Sequence, residues 1–249
     1  GVVSVASSKL SDAAGNQNSD GADSNNTVTM SVDTVVPTIA ITSNKTALKA
    51  GETATFTFTL SEAATDFVAG DIAATGGALT NFTGSGTSYT VMFTPTANST
   101  VNGVVSVSSS KFSDAAGNQN SDGAESNNIV TISVDTSPPV IAVASNQGAL
   151  KAGDVATLTF TLSEPSTDFT AADVTVTGGL LSNFSGFGVN YTATFTPVPN
   201  STANGTISVA SGKFSDAAGN LNVDGSDANN FVVLQIDTIV PTLFGGHYY

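Results

Sequence analysis

The sequence predicts an all-β chain of tandem antiparallel β-sandwich domains, and three observations carry that prediction. The segment Ser-Asp-Ala-Ala-Gly-Asn occurs at residues 11–16, 113–118 and 215–220, so the chain repeats every 102 residues (113−11 and 215−113) without insertion or deletion. Residues 53–60 alternate strictly, with Ala54, Phe56, Phe58 and Leu60 on one face and four threonines on the other, which is the period of a half-buried strand. Helical periodicity is absent, while Thr and Val enrichment with Gly, Asn, Asp and Pro punctuation marks short strands joined by turns.

The elements follow in order along the reference unit, residues 37–138. A first strand is expected near 38–43, where Ile39 and Ile41 alternate, and a second at 53–60. A third near 67–74 and a fourth near 78–83 have weaker patterns. The fifth, at 88–94, alternates Tyr89, Val91 and Phe93; the sixth, at 103–108, Val105 and Val107; the seventh, at 128–135, Val130, Ile132 and Val134. Residues 139–240 repeat the unit, with Ala156, Leu158, Phe160 and Leu162 in place of the first apolar row. A unit of this size can close its own core. Residues 1–36 form a partial unit holding only the last two strands, with Val3, Val5, Val28, Met30 and Val32 at core positions. Two strands alone are marginal in water, so that face requires a cover, either upstream strands or a strand added by another chain. Residues 241–249 are the start of a next unit or a C-terminal tail: Pro241, Thr242 and Leu243 follow Pro37, Thr38 and Ile39, and the pattern stops at Gly245–Tyr249.

Composition narrows the function. Twenty acidic residues against six lysines and no arginine give a net charge of −14, which argues against nucleic acid or an anionic membrane and for a cationic partner. There is no cysteine and His247 is the single histidine, so thiolate sites are excluded and zinc ligation nearly so. No serine, lysine or carboxylate pair has a histidine or arginine partner, and the chain is expected not to be an enzyme. A Thr/Ser/Asn/Gly-rich, lysine-poor surface suits an extracellular protein. No apolar run reaches the roughly 20 residues of a membrane helix, and no signal peptide opens the sequence, so an export signal is expected outside it.

The acidic groups recur at three places in each unit: the linker, the loop after the second strand, and the long loop before the seventh. In the reference unit these are Asp33, then Glu62, Asp66 and Asp71, then Asp114, Asn118, Asn120, Asp122 and Glu125. If successive strands alternate direction, all three segments reach the same pole. Calcium takes six to eight oxygens, and magnesium demands a stricter octahedron, so convergence of three oxygen-rich segments favours Ca2+. The expected ligand sets are Asp33, Glu62, Asp66, Asp114, Asn118 and Asp122 at one junction, and Asp135, Glu164, Asp168, Asp216, Asn220 and Asp224 at the next. The motif alone also reads as a tight turn with Gly117 at positive φ. An EF-hand does not fit, because Ala116 holds the third position.

Pro37-Thr38-Ile39, Leu48-Lys49-Ala50-Gly51-Glu52-Thr53, Thr57-Phe58-Thr59-Leu60-Ser61-Glu62, Thr90-Val91-Met92-Phe93-Thr94-Pro95 and the Ser113–Asn118 motif resemble the bacterial Ig-like tandem repeats of giant secreted calcium-binding adhesins of the RTX or biofilm-associated type. The resemblance implies Ig-like sandwiches in an extended rod, calcium at the junctions, and metal roles for Asp33 and Asp135, Glu62 and Glu164, Asp114 and Asp216. Residues 119–128 depart from the pattern by extra acidic groups, room for a second calcium. The function implied is that of structural extender repeats on a bacterial cell surface or secreted from it, with neighbouring repeats as partners. Two other classes stay open: a subunit of an assembled extracellular filament, with other copies of the chain as partners, and direct binding of a host or surface glycan.

Overall fold

A computed structural model describes residues 1–19, 25–122, 126–224 and 228–242. The partial unit is a hairpin of β1 (Val2–Ser4) and β2 (Thr27–Thr29), paired antiparallel. The first complete repeat contains β3 (Ile39–Ser43), β4 (Ala47–Lys49), β5 (Ala54–Leu60), β6 (Ile72–Thr75), β7 (Gly77–Ser85), β8 (Ser88–Pro95), β9 (Gly103–Val107) and β10 (Ile129–Asp135). The second contains β11 (Ile141–Ser145), β12 (Ala149–Lys151), β13 (Ala156–Ser166), β14 (Val174–Thr177), β15 (Gly179–Pro197), β16 (Gly205–Val209) and β17 (Phe231–Asp237). No α-helix occurs among the described residues.

Each complete repeat is a sandwich of two sheets. In the first, β3–β5–β8–β7 faces β4–β10–β9–β6; in the second, β11–β13–β15 faces β12–β17–β16–β14, with β15 spanning the positions of both β7 and β8. The alternation that marked β5 sets the inward row: Phe56 pairs with Val91 and Phe58 with Tyr89, and Phe56, Phe58 and Phe93 are fully buried. Burial of each such side chain contributes about 1.5–3 kcal/mol of transfer free energy. Phe67 sits at the centre of an aromatic cluster, edge-on to Phe58, Phe82, Tyr89 and Phe112. Gly103 opens β9 because a Cβ there would lie 2.7 Å from the Phe93 ring, and Gly205 stands against Phe195 in the same way.

Three features differ from the sequence expectation. An additional strand, β4, leaves the first sheet and pairs in parallel with β10, as β12 does with β17, so the sandwich is not purely antiparallel. The third strand is shorter than the expected 67–74. Phe67 reaches the core from a loop, a 3-10 turn occupies Ala69–Asp71, and β6 begins only at Ile72. The Asp71 carboxylate accepts the Val68 N–H at 2.8 Å and so closes that turn. In the partial unit Val3, Val5, Val28, Met30 and Val32 are exposed, since the described residues supply no second sheet.

Candidate metal centre at the repeat junctions

The Asp-Ala-Ala-Gly-Asn segment folds on itself before anything else touches it. Asp114 Oδ1 accepts the N–H groups of Ala116 and Asn118, both at 2.9 Å, and Oδ2 accepts the Asn118 amide at 2.8 Å. Gly117 takes φ +89°, a region that disfavours other side chains. Asp216 and Asn220 make the same bonds. These donors hold the Asp114 carboxyl below the usual carboxylate range, the Asn118 side chain contributing most.

The linker and the strand end are fixed separately. Asp33 Oδ1 accepts the Val35 N–H, and Asp135 Oδ1 the Ser137 N–H, both at 3.1 Å. Each linker is then tied to the turn, because Asn118 Nδ2 donates to the Asp33 carbonyl at 3.3 Å and Asn220 Nδ2 to that of Asp135 at 3.0 Å. Ser61, just past β5, accepts the Thr38 N–H at 2.8 Å and donates its own N–H to the Thr38 carbonyl at 3.0 Å. The next residue, Glu62, is thereby carried to the same pole.

The result is two groups, Asp33–Glu62–Asp114 and Asp135–Glu164–Asp216, each offering carboxylate oxygens that lie within 4.8 Å of one another. Oxygens bound to one calcium at about 2.3–2.6 Å lie at most about 5.2 Å apart, so these separations fit a shared divalent cation. Glu62 Oε1 is shielded from solvent and has no hydrogen-bond partner among the described residues. Burial pushes the Glu62 carboxyl up, and the neighbouring charges of Asp33 and Asp114 add to the shift. Glu164 is raised by burial and by Asp135 and Asp216. A hard divalent cation would relieve both the repulsion and the missing partner. Three carboxylates leave at least three positions for carbonyls and water.

The other expected ligands stand elsewhere. Asp66 accepts the Ser113 N–H at 2.7 Å and its hydroxyl at 2.8 Å. Asp168 does the same for Ser215; burial opposes ionisation there, but the Ser215 and Ser166 donors hold it below the usual range. Asp122 Oδ1 accepts the Ile39 N–H at 2.9 Å, and Asp224 Oδ1 that of Ile141 at 3.0 Å, so both anchor the first strand of their repeat. Asn120 takes the N–H groups of Lys111 and Phe112. Asn118 and Asn220 touch the groups through hydrogen bonds to the aspartates. Glu125, Leu243 and the Gly245–Tyr249 tail with His247 lie outside the described residues. Sequence reasoning missed Lys49 and Ala50, which reach across the second junction: Lys49 Nζ donates to the Gly219 carbonyl at 3.1 Å and the Ala50 N–H to Asn220 Oδ1 at 2.8 Å. The recurrence of Leu-Lys-Ala-Gly at 48–51 and 150–153 was the available signal.

A family model described as bacterial Ig-like domain matches residues 33–131 and again 135–233. Among solved structures, an adhesin of Escherichia coli, FdeC, is similar at 14% identity over 80% of this chain and 64% of its own, with a TM-score of 0.46. Invasin, a bacterial integrin-binding protein, is 15% identical over 81% of this chain and 40% of its own, with a TM-score of 0.41. The Yersinia pseudotuberculosis adhesin InvE is 16% identical over 80% and 59%, with a TM-score of 0.31. The chain thus spans less than two thirds of each of these proteins. No curated protein matches the chain.

Proposed function

Because the chain belongs to the bacterial Ig-like domain family, we propose that it is a run of structural extender repeats from a bacterial cell-surface adhesin, an extended rod whose junctions calcium stiffens. The observation that carries this reading is the meeting of three carboxylates from three segments, one of them the linker itself, at each of two junctions. A cation held by Asp135, Glu164 and Asp216 would bind the linker, the end of β13 and the Asp216 turn at once, restricting rotation between repeats. Extracellular calcium modules have dissociation constants of roughly 10⁻⁴–10⁻³ M, so millimolar calcium adds only about 0.4–1.4 kcal/mol per site. Orientation, more than folding stability, is the expected gain.

The test is small-angle scattering with and without chelator, paired with circular dichroism. Chelation should leave the β signal unchanged while the scattering profile shifts toward a more flexible, bent ensemble. Identical dimensions in calcium and in chelator would refute the stiffening role.

A further inference from the structure

Ser166 follows Glu164 by two residues, is buried, and touches both segments that bring loop carboxylates to the second junction. Its hydroxyl donates to Asp168 Oδ1 at 2.8 Å. Asp168 in turn accepts the Ser215 N–H at 2.9 Å and the Ser215 hydroxyl at 2.6 Å, and the next residue is Asp216, which offers its carboxylate to the group. The main chain of Ser166 also bridges that of Asp216 and pairs with Gly188 in β15. Its carbonyl accepts the Tyr191 hydroxyl at 2.9 Å. Tyr191 is buried and stands edge-on to Phe169, with ring centroids 5.1 Å apart, so this relay of hydrogen bonds starts in the aromatic core and ends at the Asp216 turn. Pro165 acts on the ligand from the other side. Proline drives the residue before it to extended backbone, and Glu164 accordingly lies within β13.

The first repeat carries the same three carboxylates without this support. Ala63 and Ala64 stand where Pro165 and Ser166 stand, and Glu62 lies in a bend. Ala64 has no hydroxyl to give Asp66, whose partner among the described residues is Ser113 alone. The Tyr89 hydroxyl makes no hydrogen bond among the described residues. Main-chain bonds from Ala64 to the Gly86 carbonyl and from Thr65 to that of Ser113, both at 3.1 Å, still close the segment, but nothing ties it to the tyrosine.

We infer that Ser166 and Tyr191 are positioning residues for the cation of the second junction, holding Glu164 and Asp216 in place before the ion arrives and so raising the affinity of that site. The inference rests on the calcium reading. The hydroxyl and carbonyl of Ser166 are already engaged by Asp168 and Tyr191, so it acts through the ligands it supports. A site whose ligands are placed in advance loses less binding free energy to ordering them.

The experiment is amide NMR on the whole chain, titrated with calcium chloride from about 0.01 to about 10 mM to span the range of extracellular calcium modules. The amides of Asp216 and Asn220 report the second junction, and those of Asp114 and Asn118 the first. Ser166→Ala should raise the half-saturating calcium at the second junction about tenfold, the lower end of what loss of an outer-shell partner costs, and Tyr191→Phe about threefold. The first junction should titrate in both variants as it does in the parent. Ala63→Pro combined with Ala64→Ser should transplant the support. The Ala63 N–H makes no hydrogen bond among the described residues, so proline removes none there. This double variant should lower the half-saturating calcium at the first junction at least about threefold, a gain that damage to the fold cannot produce. Titrations of the second junction that superimpose on the parent's in both Ser166→Ala and Tyr191→Phe would overturn the inference and leave the calcium reading standing. Equal weakening at both junctions would mark a global effect and overturn it as well. A parent chain with no calcium-dependent shift at either junction would overturn both readings.

Discussion

Glu62 sits in a bend just past the end of β5, whereas Glu164, its counterpart 102 residues on, lies within β13. The cause is local. Where the first repeat has Ala63 and Ala64, the second has Pro165 and Ser166. The Ser166 hydroxyl donates to Asp168 at 2.8 Å, its carbonyl accepts the Tyr191 hydroxyl at 2.9 Å, and the residue bridges to Asp216 and pairs with Gly188. The strand that carries Glu164 is thereby held at its far end. Lys49 and Ala50 then clamp the adjoining turn. Two junctions with the same three carboxylates thus differ in how firmly those groups are held. The rigidity of a ligand set comes from the residues that support it.

The comparison breaks most visibly at the tyrosines. Tyr191→Phe should destabilise the second repeat by about 1 kcal/mol, because it removes a buried hydrogen bond. Tyr89 makes no hydrogen bond among the described residues, so Tyr89→Phe should change the first repeat by no more than a few tenths of a kcal/mol. Differential scanning calorimetry of the two variants checks this, and equal losses would remove the asymmetry. Lys49→Ala has a smaller expected effect, below about 1 kcal/mol, since its hydrogen bond is partly solvated. It should loosen the coupling of the two complete repeats in NMR relaxation while leaving the first junction as it was.

The smallest effect sharpens the likeness of the junctions. Glu62 and Glu164 are both raised, so the folded junction holds their protons more tightly than the unfolded chain does. Without metal, stability falls as pH rises through the raised values and is recovered as pH is lowered. Calcium needs the ionised form, so its affinity should be lower at a pH near the ordinary carboxylate range than at neutral pH, whereas Asp114, shifted down, keeps its charge to lower pH. Calorimetric calcium titrations at the two pH values measure this; unchanged affinity would contradict it.

Much of the fold could be read from the sequence because alternation over five or more residues is hard to mistake. β5, β8, β9 and β10 fall where the apolar rows fall. β4 spans three residues, too few to show a period, and its parallel partner is 86 positions away in sequence (133−47). Phe67 misled the reading of the third strand, since a large apolar residue enters the core from a loop as readily as from a strand. At the junctions, repeat spacing and strand parity were enough to place Asp33, Glu62 and Asp114 at one pole. They were not enough to separate these from Asp66 and Asp122, which lie outside the three-carboxylate group, Asp66 turned to Ser113 and Asp122 to the Ile39 N–H. Cation and N–H attract a carboxylate alike, and the choice turns on distances of about an ångström.

The parallel ladder between β4 and β10 also decides how the chain bears load. Ala47, Leu48 and Lys49 pair with Ser133, Val134 and Asp135. Tension applied through the linkers draws the first strands of a repeat one way and β10 the other, along the direction of the strands. The ladder is then loaded in shear, and its pairs must yield together instead of unzipping one by one. Asp135 is both the last rung and the first residue of the linker, so the point where force enters the next repeat is also where the carboxylates gather.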